Sequence, residues 1–358
     1  MPLMSEDWRK FSPVVFPNPD LTRCADRDGR VEFLIYSITP QHIEAKELGR
    51  LKVAGASWNR YLSVMGQAEL RDFLAVSDAC ERNAVSISSS IFEKINSRPR
   101  VPRSMAIVNV TPDSFYPGSR VGSGSFSMID AVLDQEPDII DIGGESTRPG
   151  SERVTPQEEY NRIRPILEYV SDTSSIPVSV DTRNPETARM IAGYRVTYLN
   201  DISGFRDLGM IRVAADHSLK PIVMHMKGDP ATMQLDTSYE DLFFEINQFL
   251  LDRASALMES GIGQEDIVVD PGIGFGKSAE QNMEIVRNFH AFTTGFHTLA
   301  GTSRKSFIGA ITGSDVSGRL PGTIASSVFL MMKNVDILRV HDVRENVEAM
   351  KTYLSLLG

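Results

Sequence analysis

From residue 105 onward the chain alternates between short apolar runs rich in β-formers and longer stretches with helical spacing. The apolar runs fall at 105–110, 138–142, 176–180, 196–199, 221–224, 266–269, 296–300 and 336–340. They are continuously hydrophobic, the pattern of parallel strands buried on both faces. Each leads through a loop into a helix-like segment. Thr155-Pro-Gln-Glu158 reads as a capping box with proline at the first helical position. Leu242, Phe243, Ile246, Phe249 and Leu250 recur at helical spacing, with Ser238 as the expected cap and an end near Gly261. Eight such units in about 254 residues predict an α/β fold of the (β/α)8 TIM-barrel type. A doubly wound sheet is the alternative, but no Gly-x-Gly-x-x-Gly follows the first strand to support it.

The first hundred residues read differently. They contain four of the 26 glycines, and they end in Asn96-Ser-Arg-Pro-Arg-Val-Pro-Arg103, which reads as a linker. A strand is expected at 31–38, and Leu70, Phe73, Leu74 and Ser77 suggest an amphipathic helix. The expected organisation is a small α/β extension with its linker over 1–103 and a barrel over 104–358. The extension has no glycine-rich phosphate loop and no site-like cluster of titratable residues, so it should support stability or assembly and leave the chemistry to the barrel.

Polar residues gather where the predicted strands end. The first strand runs into Asn109-Val-Thr-Pro-Asp-Ser-Phe115 and the second into Asp141-Ile-Gly-Gly-Glu-Ser-Thr-Arg-Pro-Gly150. The next three end at Asp181, Asn200-Asp201 and His225; the last three give Asp270-Pro-Gly-Ile-Gly-Phe-Gly-Lys277, Gly301-Thr-Ser-Arg-Lys-Ser306 and Arg339-Val-His-Asp342. Any one Asp or Asn here has a bland reading as a helix cap. Gly272–Gly276 could be a tight turn, Arg304-Lys305 a solvated pair, and His225, beside two methionines, a packed histidine. Eight polar ends on one barrel face are not explained that way, because that face is where barrel active sites form.

Composition narrows the chemistry. A content of 41% hydrophobic and 23% charged residues describes an ordinary globular protein. The opening MPLMSEDWRK holds no apolar signal, no run is long enough to span a bilayer, and two cysteines make neither a disulfide framework nor a metal site. A cytoplasmic location with no membrane partner is expected. The formal charge is −10, and residues 1–100, with 14 Lys and Arg against 13 Asp and Glu, carry none of that excess. An acidic barrel excludes a nucleic-acid footprint. An anionic substrate would need a local cluster of cations.

Asp181, Asn200, Asp270 and Lys305 alternate acceptors and donors, as a flat heterocycle with amide and amino edges requires, and Met224 and Phe275 could cover its faces. Asn109, Arg339 and His341 lie on the first and last strands and would make a compact anion site. Asn109 is also a hard oxygen ligand suited to Mg2+. The residues therefore suggest a heterocycle carrying a phosphate leaving group.

With these motifs in hand, the chain resembles the dihydropteroate synthase family. NVTPDSF, IIDIGGESTRPG, SVDT, LNDISG, MHMKGDP, DPGIGFGK, SRKS and RVHDV match its signatures in order. The resemblance covers roughly 104–358 and implies a transferase of folate biosynthesis, which joins p-aminobenzoate to 6-hydroxymethyl-7,8-dihydropterin pyrophosphate and releases pyrophosphate. The family is the sulfonamide target, and the resemblance implies Mg2+ as cofactor and a homodimer. By motif, Asp181, Asn200, Asp270, Lys305, Met224 and Phe275 resemble the pterin site, and Asn109, Arg339 and His341 the pyrophosphate and Mg2+ site. Phe115, Thr147, Pro149, Phe275 and Ser306 resemble the p-aminobenzoate side. Asp113, Thr147, Arg148 and Lys305 resemble the catalytic groups, with Asp113 near a cation developing at the pterin methylene. The loops at 111–122 and 146–154 are expected to be mobile lids. After Phe115 the family usually continues Ser-Asp-Gly-Gly, whereas this chain has Tyr116-Pro-Gly-Ser-Arg120. The alternatives are a pterin-dependent methyltransferase on the same barrel, which would need no pyrophosphate site, and a non-catalytic pterin-binding module.

Overall fold

The computed structural model describes residues 14–17, 31–37, 49–51, 59–65, 67–68, 70–71, 81–110, 126–146 and 153–358. Eight parallel strands close on themselves: β5 (Arg103–Asn109), β6 (Ile139–Gly143), β7 (Val178–Asp181), β8 (Val196–Asp201), β9 (Lys220–Met224), β10 (Val268–Asp270), β11 (His297–Ala300) and β12 (Ile337–Val340). They are ordered as in the chain, and β12 pairs with β5 to complete the ring. The doubly wound alternative is thereby replaced by a (β/α)8 barrel.

Helices α2 (Ser127–Leu133), α3 (Pro156–Thr173), α4 (Pro185–Ile191), α5 (Leu208–Asp216), α6 (Leu242–Glu259) and α7 (Ala279–Arg287) follow successive strands. Two helices, α8 (Ser306–Thr312) and α9 (Leu320–Met332), fill the return from β11, and α10 (Val343–Leu357) ends the chain. Inside the barrel, Met105, Ile139, Tyr198, Ile222, Val268, Leu299 and Ile337 form one buried cluster contributed by seven strands. The opposite faces of the strands, with Val108, Ile140, Ile142, Val178 and Val180 among them, pack on the helices. This double burial explains why the strand sequences lack alternation.

At α3 half of the expected capping box forms: Thr155 Oγ1 accepts from the Glu158 amide at 3.2 Å and Pro156 opens the helix, while the Glu158 carboxylate pairs with Arg162. The expected cap of α6 needs correction. Asp241, not Ser238, caps it, with Oδ1 accepting from Phe244 N at 3.0 Å. Ser238 instead donates to Asp236 and stays in the loop before the helix.

Ahead of the barrel, β1 (Val14–Pro17), β2 (Val31–Ser37), β3 (Gly49–Leu51) and β4 (Asn59–Met65) form an antiparallel sheet in the order β1-β2-β4-β3. The expected strand at 31–38 is β2. Leu70 is buried, whereas the rest of the proposed amphipathic stripe, Phe73, Leu74 and Ser77, lies outside the described residues. Helix α1 (Glu81–Asn96) follows, and Phe33 of β2 packs on its Phe92 at 6.1 Å between ring centres. Helix α1 sits at the N-terminal ends of the barrel strands, where Lys94 pairs with Asp336 ahead of β12 and donates to Thr298 Oγ1 of β11 at 2.7 Å.

Candidate active site

The opposite, C-terminal end of the barrel gathers the polar strand ends. A cavity of about 1070 Å³ opens there, lined among others by Asn109, Phe275, Ser303, Lys305, Arg339 and His341. Asn109 and Arg339 lie at strand ends, His341 follows its strand directly, and Phe275, Ser303 and Lys305 stand three to five residues into the loops after β10 and β11.

At the floor, Asp181 ends β7 and Asn200 lies near the end of β8; both are buried. Arg339 of β12 reaches across to donate Nη2 to Asp181 Oδ2 at 3.0 Å and Nε to Asp141 Oδ2 at 2.6 Å. Asn200 Nδ2 points to the same Asp141 carboxylate at 3.3 Å. Burial is the main influence on Asp181 and pushes its carboxyl up to about 7, with Arg339 opposing and Asp141 adding to the rise. Two buried carboxylates thus share one guanidinium.

Asp270 ends β10 and is buried, and its Oδ1 accepts from the Gly272 amide at 2.7 Å. Burial raises its carboxyl above the usual range, and Lys305, Gly272 N–H, Lys277 and Arg339 act against that rise. The loop beyond it needs glycine. Gly272 has φ +69, and a Cβ there would lie 1.8 Å from the His225 carbonyl oxygen. The loop's Ile273 carbonyl accepts from Lys305 Nζ, and its Phe275 ring lies 4.9 Å from that nitrogen. Burial presses the Lys305 ammonium down to about 8, with Asp270 opposing. Met224, at the end of β9, packs with Ile202, Met226 and Met233, and Phe275 lies against that cluster.

Asn109, Arg339 and His341 do line one cavity, but they form no separate cluster of cations, because the Arg339 head is turned to Asp141 and Asp181. His341 bonds through Nδ1 to Ser303 Oγ at 3.0 Å. Ser306 opens α8 at the cavity rim and is exposed. Asp113, Phe115, Thr147, Arg148 and Pro149, with most of both proposed lids, lie outside the described residues.

Two of the bland readings are settled. Arg304 is not a solvated partner of Lys305, because it makes a two-pronged pair with Asp342 at 2.8 and 2.9 Å that ties the seventh loop to the eighth. His225 is a packed histidine: burial is the main cause that holds it well below 6.5, and its ring meets the edge of Phe249 at 5.2 Å. Sequence reasoning did not single out Asp141, Ser303, Asp342 or Lys277. All four stand in the quoted strand-end motifs, which was the available signal.

The comparisons with known proteins agree with this geometry. The family model described as "Pterin binding enzyme" matches residues 105–341. The dihydropteroate synthase of Escherichia coli K12 is 39% identical over 266 residues, which span 72% of this chain and 92% of that protein. A crystal structure of the Clostridium difficile dihydropteroate synthase in the presence of pteroic acid has a TM-score of 0.66 at 36% identity, covering 73% of this chain and 98% of that one. The Thermus thermophilus dihydropteroate synthase in complex with 4-aminobenzoate gives 0.64 at 38% identity, covering 71% and 94%. A barrel end that gathers buried acids, an amide and cations, a family match across the barrel and relatives covered nearly end to end lead to one assignment: the chain belongs to the pterin-binding enzymes, as a transferase of the dihydropteroate synthase family.

Proposed function

We propose that the cavity at the C-terminal end of the barrel condenses 6-hydroxymethyl-7,8-dihydropterin pyrophosphate with p-aminobenzoate, giving 7,8-dihydropteroate and pyrophosphate for folate biosynthesis. The observation that carries the reading is the juxtaposition of Asp270 and Lys305. Buried Asp270 and the partly buried Lys305, of opposite charge, flank one loop whose Phe275 ring lies beside the lysine. Ring N–H groups would donate to Asp181 and Asp270, Asn200 would read an edge nitrogen, and Lys305 would donate to the ring carbonyl. Met224 and Phe275 supply the apolar cover.

Arg339 and His341 serve the pyrophosphate, Arg339 exchanging part of its contact with the floor carboxylates for the incoming anion. Asn109 fits Mg2+ as a neutral hard-oxygen ligand near Arg339 and His341 and would hold the ion there, which would supply charge neutralisation of the leaving group. Departure of pyrophosphate with the C–O bonding pair leaves a methylene cation stabilised by the electron-rich ring, and the neutral aryl amine then forms the C–N bond and gives up one proton to solvent. The chain's own contribution is placement and electrostatics: carboxylates hold the ring, cations hold the departing charge, and Phe275 with Ser306 borders the amine's approach. Asp113, Thr147, Arg148, Phe115 and Pro149 would complete the amine side and shelter the cation.

The enzyme is read as a homodimer. Ile311 of α8, Phe329 of α9 and Tyr353, Leu356 and Leu357 of α10 are exposed on neighbouring elements, an apolar surface suited to a second copy. No helix among the described residues is long and apolar enough to cross a membrane, and two cysteines suit a reducing, cytoplasmic setting.

Titration calorimetry tests the site reading. The pterin pyrophosphate should bind with Mg2+ alone present, and p-aminobenzoate only after the pterin or pyrophosphate is in place. Tight p-aminobenzoate binding by itself would contradict the ordered assembly, and failure of the pterin to bind would contradict the site.

A further inference from the structure

Lys277 closes the glycine loop just ahead of α7 and is buried. Its Nζ lies 3.0 Å from the Gly272 carbonyl oxygen, 3.0 Å from that of Phe275 and 3.0 Å from His225 Nδ1. Three acceptors at that distance match the three protons of an ammonium. His225 supplies a lone pair because burial, with the Lys277 charge beside it, keeps its ring neutral. The loop wraps this nitrogen by passing through left-handed backbone at Gly272, Gly274 and Gly276, with φ of 69, 88 and 64. The other side of the same loop faces the cavity. Its Ile273 carbonyl and Phe275 ring hold Lys305, and its Gly272 amide holds Asp270.

We propose that Lys277 is a positioning residue of the ring site: its ammonium holds the glycine loop from beneath and, through that loop, sets Asp270 and Lys305 against the ligand. The proposal rests on the reading of those two groups as ring ligands. Lys277 sits too deep to touch the ring itself, since its three protons are spent on the loop and His225.

Its charge has a second effect. The charged groups facing Asp270 are Lys305, Lys277 and Arg339, with Asp141 and Asp181 sharing Arg339 behind it. Burial raises the Asp270 carboxyl and the three cations oppose the rise. Without Lys277 the carboxyl rises further and ionises only at higher pH. Burial also presses Lys277 itself down to about 7, with Asp270 opposing, so neutral pH lies close to its own loss of charge.

The test is Lys277→Met in the full chain, with kcat and KM for the pterin pyrophosphate followed from pH 5 to 9. The expected result is a rise in KM of about tenfold at pH 7, a smaller change in kcat, and an acid limb of kcat/KM moved up by about one pH unit. Lys277→Arg, which keeps the charge, should return that limb toward its native position. In an Asp270→Asn background, Lys277→Met should add less than about threefold, because the residue acts through a group already changed. A native KM and pH profile in the methionine variant would overturn the proposal, as would a full additional loss in the Asp270→Asn background. Lys277→Gln gives the same reading if the methionine variant does not fold, and loss of folding in both would make the role structural only and overturn it too. If Asp270→Asn itself leaves pterin binding intact, the ring reading is what has failed.

Discussion

The two ends of the barrel hold acidic and basic groups in opposite condition. At the N-terminal end several charges are answered within the chain. Asp336 accepts from Lys94 and from Thr298 N at 2.7 Å, Asp138 accepts from Ser104 N at 2.7 Å and Oγ at 2.9 Å, and Lys220 meets Asp266 at 2.8 Å. Burial alone would raise the Asp336 carboxyl, but bonds from His297, Lys94 and Thr298 outweigh it and hold the group well below the usual range. At the C-terminal end burial outweighs the partners of several groups. Asp181 is pushed up to about 7, Asp270 is raised, and Lys305 is pressed down to about 8. One end has completed its interactions and contributes stability; the other holds charges whose best partners would arrive with a ligand.

That contrast is open to direct attack. The largest effect should come from Lys305→Ala. Losing a buried, charge-assisted bond to the pterin, worth about 1.5–3 kcal/mol, should reduce kcat/KM by about 100-fold. The thermal midpoint should barely change, because the native charge is already disfavoured by burial. Near-native turnover would place the ring elsewhere. Lys94→Met at the other end should do the reverse. Asp336 would lose its ammonium, stability should fall by about 2 kcal/mol, and the thermal midpoint should drop by several degrees while kcat/KM per folded molecule stays native. A changed KM there would mean that the two ends are coupled.

Arg339→Ala sharpens the contrast within the active end. It should weaken the pterin pyrophosphate about tenfold more than the unphosphorylated pterin alcohol, as expected for a cation that serves the leaving group. Equal losses by calorimetry would mean that Arg339 acts mainly through Asp141 and Asp181. The smallest effect concerns pH. Asp181 is raised from the ordinary carboxylate range to about 7, so the folded chain holds a proton that the unfolded chain releases between roughly pH 4 and 7. This contribution to stability is present in full below that window and is lost as pH rises through 7. Thermal midpoints measured from pH 5 to 8 should show a fall that Asp181→Asn removes, and an unchanged fall in that variant would assign it to another group.

Much of this was legible in the sequence because parallel barrels write their layout plainly. Continuous apolar runs such as 105–108 can be buried only between two layers, and this one is followed at once by Asn109, which lines the cavity. The partners within the cavity were harder to read. Asp141 sits two residues before the end of a buried strand, where sequence shows only one polar position in an apolar run. Its grip on Arg339 joins residues 198 apart, through barrel closure that no local pattern encodes. Lys277 reads as a surface lysine before a helix until the three left-handed glycines are seen to fold the loop around it. Ser238 and Asp241 are equally good caps by type, and only the path of the preceding loop chooses between them.

The measurement that bears most directly on the proposed reaction is pyrophosphate release by the full chain, with the pterin pyrophosphate and Mg2+ present, as p-aminobenzoate is added. Release should require p-aminobenzoate, saturate with it and yield one 7,8-dihydropteroate for each pyrophosphate. Pterin binding without any p-aminobenzoate-dependent release would contradict the reaction.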